Sequence, residues 1–298
     1  MSDSRTDLPQ PPADPWGRPF EPAAPPYGAE YGYGYAYGAP AYEPSPIAAE
    51  HERLRPSARW MNFDPERRVP RWGMPDILLG LLVWFVATLA VMIPVLLLTT
   101  DKAIINIVGL VGSWIGMVGY LVLVARWKGQ GSVIKDFGFR FRWFDPLIGI
   151  AAGFATVILV AIVVTVVAGL FGAPPGENAD TVFQDKSNLT LVIITALMAS
   201  IGAPLVEELF FRGLVLRSIE KRLGPIVGVA GSSAVFGLLH YPGGNVGSAI
   251  SLVVGIGVMG TVFALLTRWQ GRLGPSIFTH MTINTLASAQ LIASVVNT

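Results

Sequence analysis

Two adjacent glutamates, Glu207 and Glu208, interrupt an apolar run that is otherwise long enough to cross a lipid bilayer. Arg212 follows one helical turn later, and two of the three histidines, His240 and His280, lie in later apolar segments. One ionised side chain at the centre of a membrane helix costs about 2.5–3.5 kcal/mol even on mild insertion scales. Carboxylates with imidazoles can activate water, and imidazole or amide N–H groups can stabilise an oxyanion. These residue types therefore predict a buried polar site that performs chemistry.

Helical spacing sorts the polar residues into pairs. Glu208 and Arg212 stand four residues apart, so they share a helix face and can form an ion pair that lowers the cost of burying each charge. Glu207 is rotated by about 100° from Glu208 and is expected to have a different neighbour. His280 and Asn284 are also four residues apart, which directs an imidazole and a carboxamide into one space.

The composition is that of an integral membrane protein. Hydrophobic residues make up 52% of the chain and charged residues 14%, with a mean hydropathy of +0.54, whereas soluble domains are about a quarter charged. The net charge is +1 and basic residues cluster beside apolar segments, which topology explains better than a nucleic-acid partner, so none is expected. The chain has no cysteine, which excludes thiol catalysis and thiolate metal ligands.

The N-terminal region, residues 1–72, is rich in Pro, Gly and Tyr and has almost no aliphatic residues. It cannot bury enough apolar surface to offset the entropy of ordering, so we expect a disordered cytoplasmic tail. The first apolar run begins only near Ile77, so no cleavable signal peptide is expected. Residues 73–298 form the predicted transmembrane domain.

Seven later segments have the length and apolarity of membrane spans, for which about 20 apolar residues suffice. The predicted fold class is therefore all-α, a polytopic membrane helix bundle of about seven transmembrane helices. The predicted spans are 77–98, 104–125, 147–171, 189–216, 225–240, 246–266 and 275–296.

Orientation follows from the distribution of Lys and Arg. These residues precede the first span and occupy the connections after the second, fourth and sixth spans, whereas the other connections are poor in them. The positive-inside rule then places the N-terminus in the cytoplasm and Thr298 outside, in a multi-pass protein of the cell membrane. The aromatic and basic stretch 137–144 is typical of a helix or strand at the membrane surface.

Three motifs on separate apolar segments resemble those of one protein family. They are Glu207-Glu208-x-x-x-Arg212, Phe236-x-x-x-His240 and His280-x-x-x-Asn284. In this order they resemble the CAAX prenyl endopeptidase and bacteriocin-processing (CPBP, Abi-type) family of intramembrane proteases. The resemblance covers residues 189–298, agrees only in general layout over the first three spans, and does not extend to the tail.

The resemblance implies a membrane-embedded protease with defined residue roles. Glu207 would be the general base, holding with His240 the water that attacks the scissile carbonyl. His280 and Asn284 would stabilise the oxyanion. Glu208 with Arg212 looks like a supporting structural pair; Phe236 belongs to the same supporting set.

The residues leave the use of a metal open. Glu207, His240 and His280 are a plausible Zn²⁺ ligand set, although no HExxH spacing places two histidines on one helix face. The enzyme would then be a metalloendopeptidase. Without a metal it would be a glutamate protease, and we prefer this scheme because every residue of the set then has a role.

The expected substrate is a membrane-associated protein or peptide cleaved near its C-terminus. In one branch of the family the last three residues of a prenylated CAAX protein are removed, and other branches are assigned to bacteriocin maturation or self-immunity. A self-immunity or scaffold protein of the same fold is one alternative. A proton- or ion-coupled transporter is another, because buried ionisable residues also line transport paths. The sequence leaves the oligomeric state open.

Overall fold

The computed structural model describes residues 70–176 and 188–296, and the regular structure of these residues is helical throughout. This confirms the predicted all-α fold. The disorder expected of the tail concerns residues that lie, except for 70–72, outside the described ranges. The helices are α1 (Met74–Leu98), α2 (Lys102–Lys128), α3 (Val133–Phe137), α4 (Asp145–Leu170), α5 (Leu189–Leu238), α6 (Val246–Gln270) and α7 (Gly274–Val296).

Five of these helices, α1, α2, α4, α5 and α6, are long and apolar enough to cross a membrane. Large aliphatic side chains cover their outer surfaces, among them Leu97, Leu170 and Ile226, each at least 80% exposed. Such exposure is stable only in lipid. The chain is therefore a multi-pass membrane protein.

Helix α5 joins the predicted fourth and fifth spans into one run of 50 residues. At the boundary between the two predicted spans the helix breaks sharply at Gly224, whose φ of 82° and ψ of 174° are not helical. Glycine tolerates this positive φ, and Pro225 is well suited to begin the next helical stretch. No loop intervenes, so Arg217, predicted to lie in a connection, is instead fully buried inside the helix.

Glycines bring the helices close together, as the small-residue stretches in the sequence suggest. A Cβ on Gly116 of α2 would lie 2.7 Å from the Trp84 backbone of α1. A Cβ on Gly149 of α4 would clash similarly with Phe278 of α7. In lipid no hydrophobic effect drives helices together, so the van der Waals contacts that this close approach allows hold them instead.

Polar contacts also join the helices at the two ends of the bundle. At one end, called the basic end here, Lys128 of α2 pairs with Asp76 of α1 at 2.7 Å, and Lys221 of α5 donates to the Pro70 carbonyl at 2.7 Å. At the opposite end the Gly176 N–H donates to Ser251 of α6 at 3.1 Å. These contacts make α1 antiparallel to α2 and α4 antiparallel to α6.

Trp72 belongs to the core at the basic end rather than to the tail. Its side chain is fully buried, and its ring centroid lies 5.4 Å from that of Phe137. Trp72, the last residue of the predicted tail, therefore packs against the helices.

Candidate active site

Helix α5 positions the two glutamates between two π-helical stretches, Met198–Gly202 and Leu209–Val215. Stretches of this kind occur often at functional sites, because they free backbone groups and rotate side chains. In the first stretch the Ala203 N–H bonds the Met198 carbonyl, and Pro204 has no N–H to offer. The Ala199 carbonyl instead accepts a hydrogen bond from Asn284 Nδ2 of α7 at 2.8 Å. This bond ties α7 to α5 two turns before the glutamates.

Glu208 and Arg212 form the ion pair that their spacing predicts. Both side chains are fully buried, and Arg212 Nη1 donates to Glu208 Oε1 at 3.0 Å. Arg212 Nη2 donates to the Gly260 carbonyl at 3.1 Å, and the guanidinium lies over the rings of Phe236 and Phe263 at 4.4 and 5.1 Å. The pair therefore fastens α5 to α6 as well as balancing a buried charge.

His280 of α7 contacts both glutamates through its two ring nitrogens. Nδ1 lies 3.2 Å from Glu208 Oε1, and Nε2 lies 4.0 Å from Glu207 Oε2. The ring stacks on Phe263 of α6 with centroids 4.8 Å apart. Because a carboxylate only accepts, Nδ1 is assigned as the donor to Glu208. This leaves Nε2 directed towards Glu207, which is 19% exposed.

His240 follows the C-terminal end of α5 and is held by its own helix. Its Nδ1 lies 2.7 Å from the Phe236 carbonyl, which can only accept, so Nδ1 is the donor. The Phe236 ring contacts both imidazoles, with centroids 4.7 Å from His240 and 5.9 Å from His280. Phe236 and His240, the first and fifth residues of this motif, both lie beyond the Gly224 break, and the Phe236 ring links His240 to His280 of α7.

Glu208 cannot join Glu207 as a ligand of one ion together with His280, because the two carboxylates approach opposite nitrogens of that ring. Among the described residues, no group of three or more His, Asp or Glu side chains is arranged to hold a metal ion.

The structure brings together most of the residues selected from the sequence. Glu207, Glu208, Arg212 and His280 form one contact network, and Phe236 joins it to His240. Asn284 lies on the same helix as His280, and its observed partner is the Ala199 carbonyl.

Sequence reasoning missed three partners: Phe263 and the carbonyls of Ala199 and Gly260. Backbone carbonyls carry no side-chain signal. The one available clue was Pro204, which removes an N–H from an otherwise regular helix.

Comparison with known proteins supports the motif assignment. Residues 189–286, which contain all three motifs, match the family model described as type II CAAX prenyl endopeptidase Rce1-like. No curated protein and no solved structure matches the chain significantly. The family match confirms the resemblance to CAAX-type membrane proteases that Glu207-Glu208-x-x-x-Arg212 and the two histidine motifs predict.

Proposed function

We propose that this chain is an intramembrane endopeptidase that cleaves a membrane-associated protein or peptide near its C-terminus. One observation carries the proposal: within apolar helices, a partly accessible carboxylate, Glu207, faces Nε2 of an imidazole whose other nitrogen is held by a buried carboxylate. An arrangement that served only stability would not need the second glutamate. The match of residues 189–286 to a CAAX endopeptidase family favours peptide hydrolysis over transport.

Glu207 acts as the general base. Its Oε2 lies 4.0 Å from His280 Nε2, which is too far for a direct hydrogen bond. The gap leaves Glu207 available to hold a water molecule and His280 Nε2 available to face the substrate oxygen. Glu207 takes the proton as the water attacks the scissile carbonyl, and can then deliver it to the leaving amine.

His240 assists by accepting from the same water. With Nδ1 donating to the Phe236 carbonyl, the neutral ring keeps Nε2 as an acceptor. This hydrogen bond fixes both the tautomer and the direction of the ring. His240 therefore orients the water while Glu207 removes its proton.

His280 and Asn284 stabilise the oxyanion. His280 keeps Nδ1 bonded to Glu208 and can donate through Nε2 to the developing negative charge when that nitrogen carries a proton. The Asn284 amide uses one N–H on the Ala199 carbonyl and retains a second for the substrate. Glu208 and Arg212 hold these donors in place without touching the substrate.

We further propose that the basic end faces the cytoplasm of a cell membrane. Lys128, Lys221 and Arg268 mark this end, and the positive-inside rule assigns such ends to the cytoplasm. The N-terminus then lies in the cytoplasm and Thr298 lies outside. A substrate anchored in the bilayer, such as a prenylated C-terminal peptide, reaches Glu207 without leaving the membrane.

The test is cleavage by purified protein in lipid vesicles, with a prenylated peptide ending in a CAAX sequence and its unprenylated form as substrates. Glu207→Gln should insert and fold normally but lose cleavage by at least about 100-fold, because general-base catalysis contributes at least that factor. Asp101→Asn is the matched control, since it neutralises an acid that caps α2, and Asn caps helices equally well. Full activity in the Glu207 variant would refute the assignment.

A further inference from the structure

Trp114 of α2 lies against Gly202 of α5, the helix that carries both glutamates. A Cβ built on Gly202 would overlap the indole, at 2.8 Å from its Cζ2 and 2.9 Å from its Cζ3. These atoms belong to the far edge of the six-membered ring, which therefore occupies the space of a side chain at residue 202. The family match begins at residue 189, so this contact joins α5 to a helix that the match does not include.

The π-helical stretch that ends at this glycine, Met198–Gly202, is also held by α7. The Ala199 carbonyl accepts a hydrogen bond from Asn284 Nδ2 at 2.8 Å, and Ser200 Oγ donates to Ser288 Oγ at 3.1 Å. Two helices distant in sequence, α2 and α7, thus fix one irregular turn of α5. Such turns change the direction of the helix that follows them.

The geometry of this turn determines where Glu207 lies. A regular helical segment, Ala203–Glu208, follows the turn directly, so Glu207 stands five residues beyond Gly202, about 7.5 Å along the helix axis. The segment contains no break that could absorb a movement. A shift at Gly202 is therefore carried to the carboxylate and changes the 4.0 Å separation between Glu207 Oε2 and His280 Nε2.

A second contact fixes α2 to α5 on the other side of the glutamates along the chain. Phe210 of α5 and Tyr120 of α2 both border Gly80 of α1, each with ring atoms 3.0 Å from where its Cβ would lie. Phe210 is fully buried, and the Tyr120 hydroxyl donates to Asp76 at 3.0 Å. Because α2 is held there, the indole of Trp114 cannot move away from α5 by a displacement of the whole helix.

We propose that Trp114 is a positioning residue for Glu207. Its indole holds the π-helical stretch Met198–Gly202 in the geometry that directs the carboxylate towards His280, and it acts through Gly202 without touching the substrate. The inference rests on the proposed peptidase function. It makes the α1–α2 pair part of the active unit, although neither helix carries a residue of the three motifs.

The experiment exchanges bulk across the contact and measures cleavage of the prenylated CAAX peptide in lipid vesicles. Gly202→Ala adds a methyl group where the indole lies, so the contact must open by about 1 Å to reach an ordinary carbon–carbon separation. A misplacement of about 1 Å can cost about 100-fold in rate, so kcat should fall at least about tenfold while KM changes little. Trp114→Phe alone should also lower kcat, because the space beside Gly202 is then left empty.

The double variant Gly202→Ala/Trp114→Phe should recover most of the lost kcat, since the shorter ring leaves room for the added methyl group. Gly119→Ala and Trp127→Phe are matched controls on α2. Within the described ranges, no atom of another helix lies within 4 Å of a Cβ built on Gly119, and Trp127 is 71% exposed. Both controls should keep the native kcat.

A second readout needs no cleavage: hydrogen exchange of the backbone amides of residues 198–208, read by mass spectrometry. Exchange should rise in Gly202→Ala and return to the native rate in the double variant. If the native chain cleaves the peptide and Gly202→Ala keeps its kcat, or if Trp114→Phe fails to repair the loss, the inference is overturned and the proposed function stands. If the native chain cleaves nothing, the proposed function falls, and exchange unaffected by Gly202→Ala would then overturn the role of Trp114 as well.

Discussion

Replacing Glu208 with Gln tests whether the Glu208–Arg212 pair has a structural role that differs from the catalytic role proposed for Glu207. Glu208 is fully buried, and its Oε1 serves Arg212 at 3.0 Å and His280 at 3.2 Å. Gln keeps an acceptor oxygen but loses the charge and brings two new donors. Arg212, also fully buried, is then left with the Gly260 carbonyl and the aromatic rings as its partners.

The expected loss of stability is large. Removing one partner of a buried ion pair costs about 3–5 kcal/mol, because the remaining charge stays desolvated. The retained amide oxygen places Glu208→Gln near the lower end, at about 3 kcal/mol. Glu207→Gln should cost less than about 1 kcal/mol, because Glu207 is partly exposed and has no arginine partner at hydrogen-bond distance.

The assay is unfolding of each purified variant in mixed micelles of increasing SDS content, read by circular dichroism and compared with cleavage. The double variant Glu208→Gln/Arg212→Met removes both charges and should recover about 2 kcal/mol over Glu208→Gln alone. Its cleavage should stay low, because His280 Nδ1 has lost its carboxylate. An unfolding midpoint for Glu208→Gln equal to that of the native chain would refute the structural role assigned to the Glu208–Arg212 pair.

Three further predictions follow from the contacts described. Asn284→Ala should lower stability by about 1–2 kcal/mol as well as cleavage, because the Ala199 carbonyl loses its donor; an unchanged unfolding midpoint would leave Asn284 only a substrate contact. Reporter fusions at Met1 and Thr298 should give opposite compartment signals, and matching signals would mean an even number of crossings. Cleavage should persist after exhaustive chelation; if it is lost and added zinc restores it, and elemental analysis finds stoichiometric zinc, Glu207, His240 and His280 would be metal ligands.

The sequence predicted the helices and the motif residues because both leave strong local signals. Membrane spans show as apolar length, and ion pairs such as Glu208 and Arg212 show as helical spacing. The same reasoning predicted a loop around Arg217, since a charged residue after an apolar run normally marks a span boundary. Arg217 is buried instead, because its Nη1 donates to the Asp136 carbonyl at 3.0 Å.

The remaining features of the site depend on contacts between distant segments. Spacing suggested different neighbours for Glu207 and Glu208, yet a single imidazole from α7 contacts both. The π-helical stretches on either side of the glutamates change how this part of α5 is turned relative to the rest of the helix. No local periodicity encodes how α7 docks against them, so the arrangement was not predictable from sequence.

The origin of the site in two separate helices bears on how the chain is made. Ribosomes deliver α5 to the bilayer well before α7, so Glu208 must enter lipid before His280 exists. Because Arg212 lies one turn away on the same helix, the two charges can neutralise each other at that stage without any later segment. At that stage Glu207 has no imidazole partner, because His280 has not yet been synthesised. The proposed hydrolytic centre would be complete only when α7 docks, so a nascent chain still in the insertion machinery would not yet cleave its neighbours.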